Sequence, residues 1–197
     1  MTAIESARFL FQPNPMPGVW EISRKPIRDT RGFFSRFFCQ EEFSLMGADF
    51  CPTQMNFSRS NLAGTVRGMH FQYSPNAETK IVTCMRGSIF DVAVDLRHDS
   101  PTFLQWFGVT LSSEQQNSLV IPPGVAHGFQ SLVDQTEILY LVTSAYDGSL
   151  EDGLNPFDPA IGIDWPLSPT DVSERDRQRG HIDPATYPGQ TMDGTRR

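Results

Sequence analysis

The sequence predicts an all-β domain, a sandwich or barrel of short strands with only brief helical turns. Three observations carry that expectation. Apolar-rich runs recur at spacings of about 8–12 residues, with turn residues between them. Fifteen Gly and fifteen Pro supply those turns and disfavour long helices. Fifteen Phe and three Trp, within a composition that is 39% hydrophobic, give the volume for a core. The 197 residues suit one domain, 1–197, with its core over about 18–176 and a polar tail over 177–197.

The elements follow in chain order. Residues 1–18 are rich in Pro and read as loop, ending at Pro17-Gly18. Val19–Ile22 reads as a strand, and Phe33–Phe38 as another, opened by the turn Asp29-Thr30-Arg31-Gly32. Gln40–Gly47 fits one or two helical turns stopped by Gly47. Thr53–Ser58 and Gly64–Gln72 read as strands. Lys80–Arg86 and Ser88–Leu96 flank Gly87 and read as a hairpin, with Phe90, Val92 and Val94 on one face and Asp91, Ala93 and Asp95 on the other. Gln105–Leu111 alternates less cleanly. Ser118–Ile121 and His127–Leu132 flank a Pro-Pro-Gly turn. Thr136–Thr143 puts Ile138, Tyr140 and Val142 on one face. Beyond Trp165-Pro166 the chain turns polar, and 177–197 reads as a loose tail or one that docks on a partner subunit.

Charge and cysteine content narrow the function classes. The net charge of −7 disfavours non-specific nucleic-acid binding, so an anionic ligand needs a local basic site. Cys39, Cys51 and Cys84 are odd in number and lack metal-like spacing, which fits reduced thiols. The N-terminus lacks a basic segment followed by an apolar run, and no stretch approaches the roughly 20 apolar residues of a membrane span. A cytoplasmic protein without a membrane partner is expected.

Two histidine segments carry the chemistry, Arg67-Gly-Met-His70-Phe-Gln72 and Pro122-Pro-Gly-Val-Ala-His127. Metal-binding jelly rolls of the cupin type pair a His-x-His strand motif with Pro-x-Gly-x-x-His. The second motif is intact here. In the first, Gln72 stands where the second imidazole would chelate, and amides are poor transition-metal ligands. His70, Glu78 and His127 leave a facial triad open as a minor alternative. Without a metal, His70, His127, Lys80, Arg67, Arg31, Tyr140 and Tyr146 are the conspicuous polar groups, several of them inside apolar runs. Such a set suits proton abstraction beside a ketone. A His acts as base, a Tyr on an opposing strand acts as acid, and cations stabilise an enolate or bind pyrophosphate. Each residue also has a plain reading, as a core histidine, a packing aromatic or a solvated strand-edge charge.

Nine segments in order resemble the dTDP-4-dehydrorhamnose 3,5-epimerase family, over roughly residues 18–176. They are Asp29-Thr-Arg-Gly-Phe-Phe34, Gln54-Met-Asn56, Arg67–Gln72, Lys80-Ile-Val, Phe90–Arg97, Ser100-Pro-Thr-Phe103, Ile121–Phe129, Tyr140 with Tyr146, and Asp158-Pro159 with Ile163-Asp-Trp-Pro166. The resemblance implies a cupin-type jelly-roll barrel or sandwich with short peripheral helices and no cofactor or catalytic metal. It implies epimerisation of a nucleotide-linked 4-keto-6-deoxy sugar at C3 and C5, of the kind that leads to dTDP-rhamnose and surface polysaccharide. His70 matches the base, Asp176 the carboxylate that orients it, Lys80 the cation beside the C4 oxygen, and Tyr140 the acid on the opposite face. Tyr146 matches the aromatic under the nucleobase, and Arg31, Gln54, Asn56, Arg67, His127 and Glu151 match ligand-binding positions. A homodimer with exchanged N-terminal strands is implied.

The chain departs from the family pattern in three places. Arg36 stands where a Glu is usual, the stretch from Asn56 to His70 is one residue longer, and Leu104 replaces a Gly. Arg36 bears on which nucleotide is bound. A single-centre epimerase, a CDP- or GDP-sugar epimerase, a metal-dependent cupin enzyme and a non-catalytic sugar-binding cupin are the alternatives.

Overall fold

Alternation of inward and outward side chains organises the chain into two facing sheets in the computed structural model, which describes residues 2–47 and 50–196. The ends of the expected domain and tail, Met1 and Arg197, lie outside the described residues. The early strands are β1 (Ile4–Glu5), β2 (Phe9–Pro13), β3 (Trp20–Arg24), β4 (Ile27–Asp29) and β5 (Gly32–Phe34). A helical turn, α1 (Gln40–Phe43), runs into a 3-10 turn at Ser44–Met46 that ends at Gly47. The central strands are β6 (Gln54–Ser60), β7 (Thr65–Gln72), β8 (Lys80–Arg86), β9 (Ser88–Asp95) and β10 (Trp106–Ser112). β11 (Asn117–Ile121), β12 (Val125–Ser131), β13 (Thr136–Val142), β14 (Glu151–Gly153) and β15 (Asp171–Val172) follow, with α2 (Glu174–Arg177) last.

One sheet has the order β1-β2-β3-β11-β8-β13-β6, and the other β10-β9-β12-β7-β14, with β15 parallel to the start of β7. The expected jelly-roll class is borne out. Side chains from both sheets meet in a central core: Val82, Leu119, Ile121 and Ile138 face Ile89, Ala93, Leu111 and Phe129. Both sheets are also covered outside, which is why several strands show continuous apolar runs rather than clean alternation. Phe43 of α1 inserts edge-on between Phe9 and Phe11, at ring distances of 5.2 and 5.4 Å. Full burial of such a side chain stabilises by about 1.5–3 kcal/mol. The outer face of the second sheet, with Met69, Phe71, Val92 and Val94, is covered by Leu154, Ile161, Trp165, Ile182 and Tyr187. The segment after α2 is therefore no loose tail. Asn155 donates to the carbonyls of Arg177 and Arg179, and Gln190 is fully buried.

Several local expectations need correction. Residues 1–18 contain β1 and β2, because Phe9 and Phe11 alternate onto a buried face; Pro13 merely ends that strand. The strand expected over Phe33–Phe38 stops at Phe34. β8 and β9 do not form a hairpin. β8 pairs with β11 and β13 in one sheet, and β9 with β10 and β12 in the other. Gly87 is thus a corner at which the chain crosses between sheets. Among the described residues no helix is long and apolar enough to cross a membrane.

Candidate active site

Strand periodicity sends His70 and Gln72 inward from β7, while Met69 and Phe71 pack outside. His127 stands directly opposite His70 on β12. That register needs two glycines. A Cβ on Gly68 would lie 2.5 Å from the Gly128 Cα, so the strands cross where neither residue carries a side chain. Tyr140 projects from β13 and Lys80 from β8, both in the facing sheet. The two histidines and this Tyr–Lys pair therefore stand on opposite walls.

These walls enclose a cleft of two lobes. One, of about 560 Å³, is lined by Arg67, His127, Arg175 and Asp176. The other, of about 340 Å³, is lined by Gln54, Asn56, Tyr146 and Glu151. His70, Lys80 and Tyr140 line both lobes and so mark their junction.

Asp176 reaches His70 from α2, which docks on the edge of β7 between β14 and β15. Ser173 caps this turn by accepting a hydrogen bond from the Asp176 amide. His70 Nε2 and Asp176 Oδ1 are 2.7 Å apart. Burial opposes ionisation of Asp176, but the hydrogen bond and charge of His70, with Ser173 and the Gly68 amide, hold its carboxyl below the usual value. An ionised carboxylate only accepts, so the proton of the pair sits on Nε2 and Nδ1 is left as the basic nitrogen.

His127 Nε2 forms a second pair with Asp91 Oδ1, also at 2.7 Å. Here burial pushes the carboxyl up, against the opposing charges of His127 and Lys80. Lys80 Nζ donates to the His70 carbonyl (3.1 Å) and pairs with Glu78 (3.2 Å). Burial raises the Tyr140 hydroxyl above its ordinary value, despite the nearby Arg67 charge, so it is protonated at neutral pH. It makes no hydrogen bond to another described residue and is open to a ligand.

Of the residues singled out in the sequence, His70, His127, Lys80, Tyr140, Asp176, Arg67, Gln54, Asn56, Tyr146 and Glu151 all line the cleft. Arg31 does not. It lies exposed at the tip of the β4–β5 arm, paired with Asp29. The alternative triad of His70, Glu78 and His127 is not assembled, since each is tied to a different partner. Gln72 and Lys80 engage Glu78, and among the described residues no three His, Cys, Asp or Glu side chains are grouped to hold an ion. Sequence reasoning missed two functional neighbours. Arg175, beside Asp176 on α2, pairs with Glu151 at 2.6 Å. Gln72 binds the Asp147 amide (2.7 Å) and so anchors the loop bearing Tyr146.

Comparison with known proteins covers most of the chain. The family model for dTDP-4-dehydrorhamnose 3,5-epimerase matches residues 13–183. The dTDP-4-dehydrorhamnose 3,5-epimerase of Sinorhizobium fredii is 44% identical over 177 residues, 89% of this chain and 91% of that one. A dTDP-4-dehydrorhamnose 3-epimerase of Streptomyces niveus is 38% identical over 167 residues, 84% of this chain and 80% of its own. The structure of the Legionella pneumophila enzyme in complex with dTDP-4-keto-L-rhamnose superposes with a TM-score of 0.84 at 35% identity, covering 92% of this chain and 98% of that one. The chain belongs to the dTDP-4-dehydrorhamnose 3,5-epimerase family.

Proposed function

We propose that this enzyme inverts C3 and C5 of a dTDP-linked 4-keto-6-deoxy sugar, converting dTDP-4-dehydro-6-deoxy-D-glucose to dTDP-4-dehydro-L-rhamnose without a cofactor. One observation carries the reading: a His–Asp pair and a protonated Tyr stand on facing walls at the junction of two lobes, with Lys80 reaching from the Tyr wall to the His70 carbonyl. His70 Nδ1 takes the proton from a carbon next to the ketone, and Asp176 stabilises the imidazolium formed. Lys80 faces the C4 oxygen as the enolate charge develops. Tyr140 returns a proton from the opposite side, which inverts the centre. We place the nucleotide in the lobe of Gln54, Asn56, Tyr146 and Glu151, with Tyr146 under the base. Arg67 and His127, in the other lobe, contact the far side of the sugar.

Arg31 joins the site only if another chain supplies it. The β4–β5 arm pairs with neither sheet, and Ile27, Phe33 and Phe34 on it are 47%, 57% and 61% exposed. A contiguous apolar arm of that kind fits burial in a homodimer, where Arg31 of one subunit enters the cleft of the other. Sedimentation equilibrium tests this; a monomer at micromolar concentration would contradict it. The nucleotide-linked substrate fits a cytoplasmic enzyme.

Proton NMR of the purified protein with dTDP-4-dehydro-6-deoxy-D-glucose tests the reaction. The product's ring couplings should report inversion at both centres. Inversion at C3 alone would make this a single-centre enzyme, like the Streptomyces niveus relative. Tighter binding of CDP- or GDP-linked sugars would overturn the nucleotide assignment.

A further inference from the structure

Behind the proton-transfer pair, on the side away from the cleft, lies one more charge. Arg179 follows α2 by two residues, and its side chain is only 15% exposed. Its Nη1 donates to Asp152 Oδ1 (2.6 Å) and to the Gly153 carbonyl (3.1 Å). Its Nε is buried with no hydrogen-bond partner among the described residues, and it stands 4.0 Å from Asp176 Oδ1, the same oxygen that holds His70. The backbone is shaped to admit it. Gly153 is the β14 residue opposite His70, and a Cβ there would come within 2.9 Å of Arg179 Cζ and Nε. The segment beyond α2 is held by Asn155, which donates to the Arg179 carbonyl at 2.9 Å. A mostly buried guanidinium whose Nε lies unpartnered 4.0 Å from the Asp176 carboxylate is a costly arrangement, and packing alone does not require the charge.

We propose that Arg179 is a positioning residue for the His70–Asp176 pair: a fixed charge shared between Asp176 and Asp152 that weakens the hold of Asp176 on the imidazolium. This rests on the proposed role of His70. The other charges around the pair are Arg175 on α2, Glu151 on β14, Arg67 on β7, Lys80 against the His70 carbonyl, and His127 with Asp91 across the register. Arg179 differs from these in approaching from behind the carboxylate, outside the substrate cleft. Asp152 divides its charge from the more exposed side, with 43% of its side chain accessible.

The test is direct, because the chain has only four histidines. Their ring resonances can be titrated by NMR in the substrate-free protein, and that of His70 identified by its loss in H70N. In Arg179→Gln the His70 midpoint should rise by about one pH unit, since a unit charge at this range is removed. Arg179→Lys should restore most of the difference. Asp152→Asn, which leaves the guanidinium undivided and keeps Arg179 in place, should lower the midpoint. The acid limb of kcat/KM should move with each midpoint, with nucleotide affinity unchanged. Unmoved His70 midpoints in both Arg179→Gln and Asp152→Asn, or equal shifts in Arg179→Gln and Arg179→Lys, would overturn the proposal. If the wild-type protein leaves the sugar's protons unexchanged, the assigned reaction fails, while the titration still decides the role of Arg179.

Discussion

Replacing Asp176 with Asn removes the charge and one acceptor oxygen from the proton-transfer pair. Asparagine is isosteric and the Ser173 cap binds the backbone amide, but its single oxygen can serve only one of the two donors that the carboxylate holds, the Gly68 amide and His70 Nε2. What is lost is an ionised acceptor 2.7 Å from His70 Nε2, on a side chain only 4% exposed. A hydrogen bond to a charged group contributes about 1.5–3 kcal/mol. At about 1.4 kcal/mol per tenfold, proton abstraction should slow roughly 10- to 100-fold. The loss should fall on kcat more than KM, because the imidazolium forms only on the way to the enolate. Stopped-flow or single-turnover deuterium exchange from D2O reads the step. An Asp176→Asn enzyme that exchanges within twofold of wild type would refute the pairing as the source of basicity. The same change has a stability signature. In the folded protein the Asp176 carboxyl is held below its ordinary value of 3.8, so its contribution is present above that pH and is lost as pH falls through the folded value. Urea melts should show wild type more stable than the variant at pH 7, with the gap closing as pH falls below 3.8.

Other outcomes follow from the same geometry. Tyr140→Phe should slow product formation more than exchange of solvent deuterium into unreacted substrate, because His70 and Tyr140 stand on opposite walls; equal losses would remove Tyr140 as the proposed acid. Lys80→Met should lower kcat about 10²- to 10³-fold, the usual loss for an oxyanion donor, with a small change in KM. It should also lower the melting temperature, because Glu78 is left buried without its cation. A thiol reagent should label Cys51 in the native protein, whereas Cys84, with its thiol pushed up to about 11 by burial, should react only after unfolding.

The central strands were legible because their apolar runs are long enough to bury on one or both faces. β1, β14 and β15 were not, since two or three residues have no period of their own and exist only as edges to β2 or β7. The corner at Gly87 shows a limit of local reading. A glycine between two strand patterns looks the same whether the chain folds back in one sheet or crosses to another, and only the partners of β8 and β9 distinguish them. The site divides in a similar way. His70, Lys80 and Tyr140 stood out as polar groups inside apolar runs. Asp176 had no local signal: it lies 106 residues from His70 and meets it only because α2 docks on β7, so the family resemblance alone pointed to it. Arg179 was invisible for the same reason, and Arg31 was legible as a ligand-type residue but not as one borne on an exposed arm.

In the proposed reaction His70 removes protons beside the C4 ketone from one wall while Tyr140 returns them from the other. Solvent-isotope NMR on dTDP-4-dehydro-6-deoxy-D-glucose in D2O tests it most directly. Deuterium should appear at both C3 and C5 of an inverted product, and at neither carbon with His70→Asn. Inversion without solvent deuterium, or undiminished exchange in His70→Asn, would contradict it.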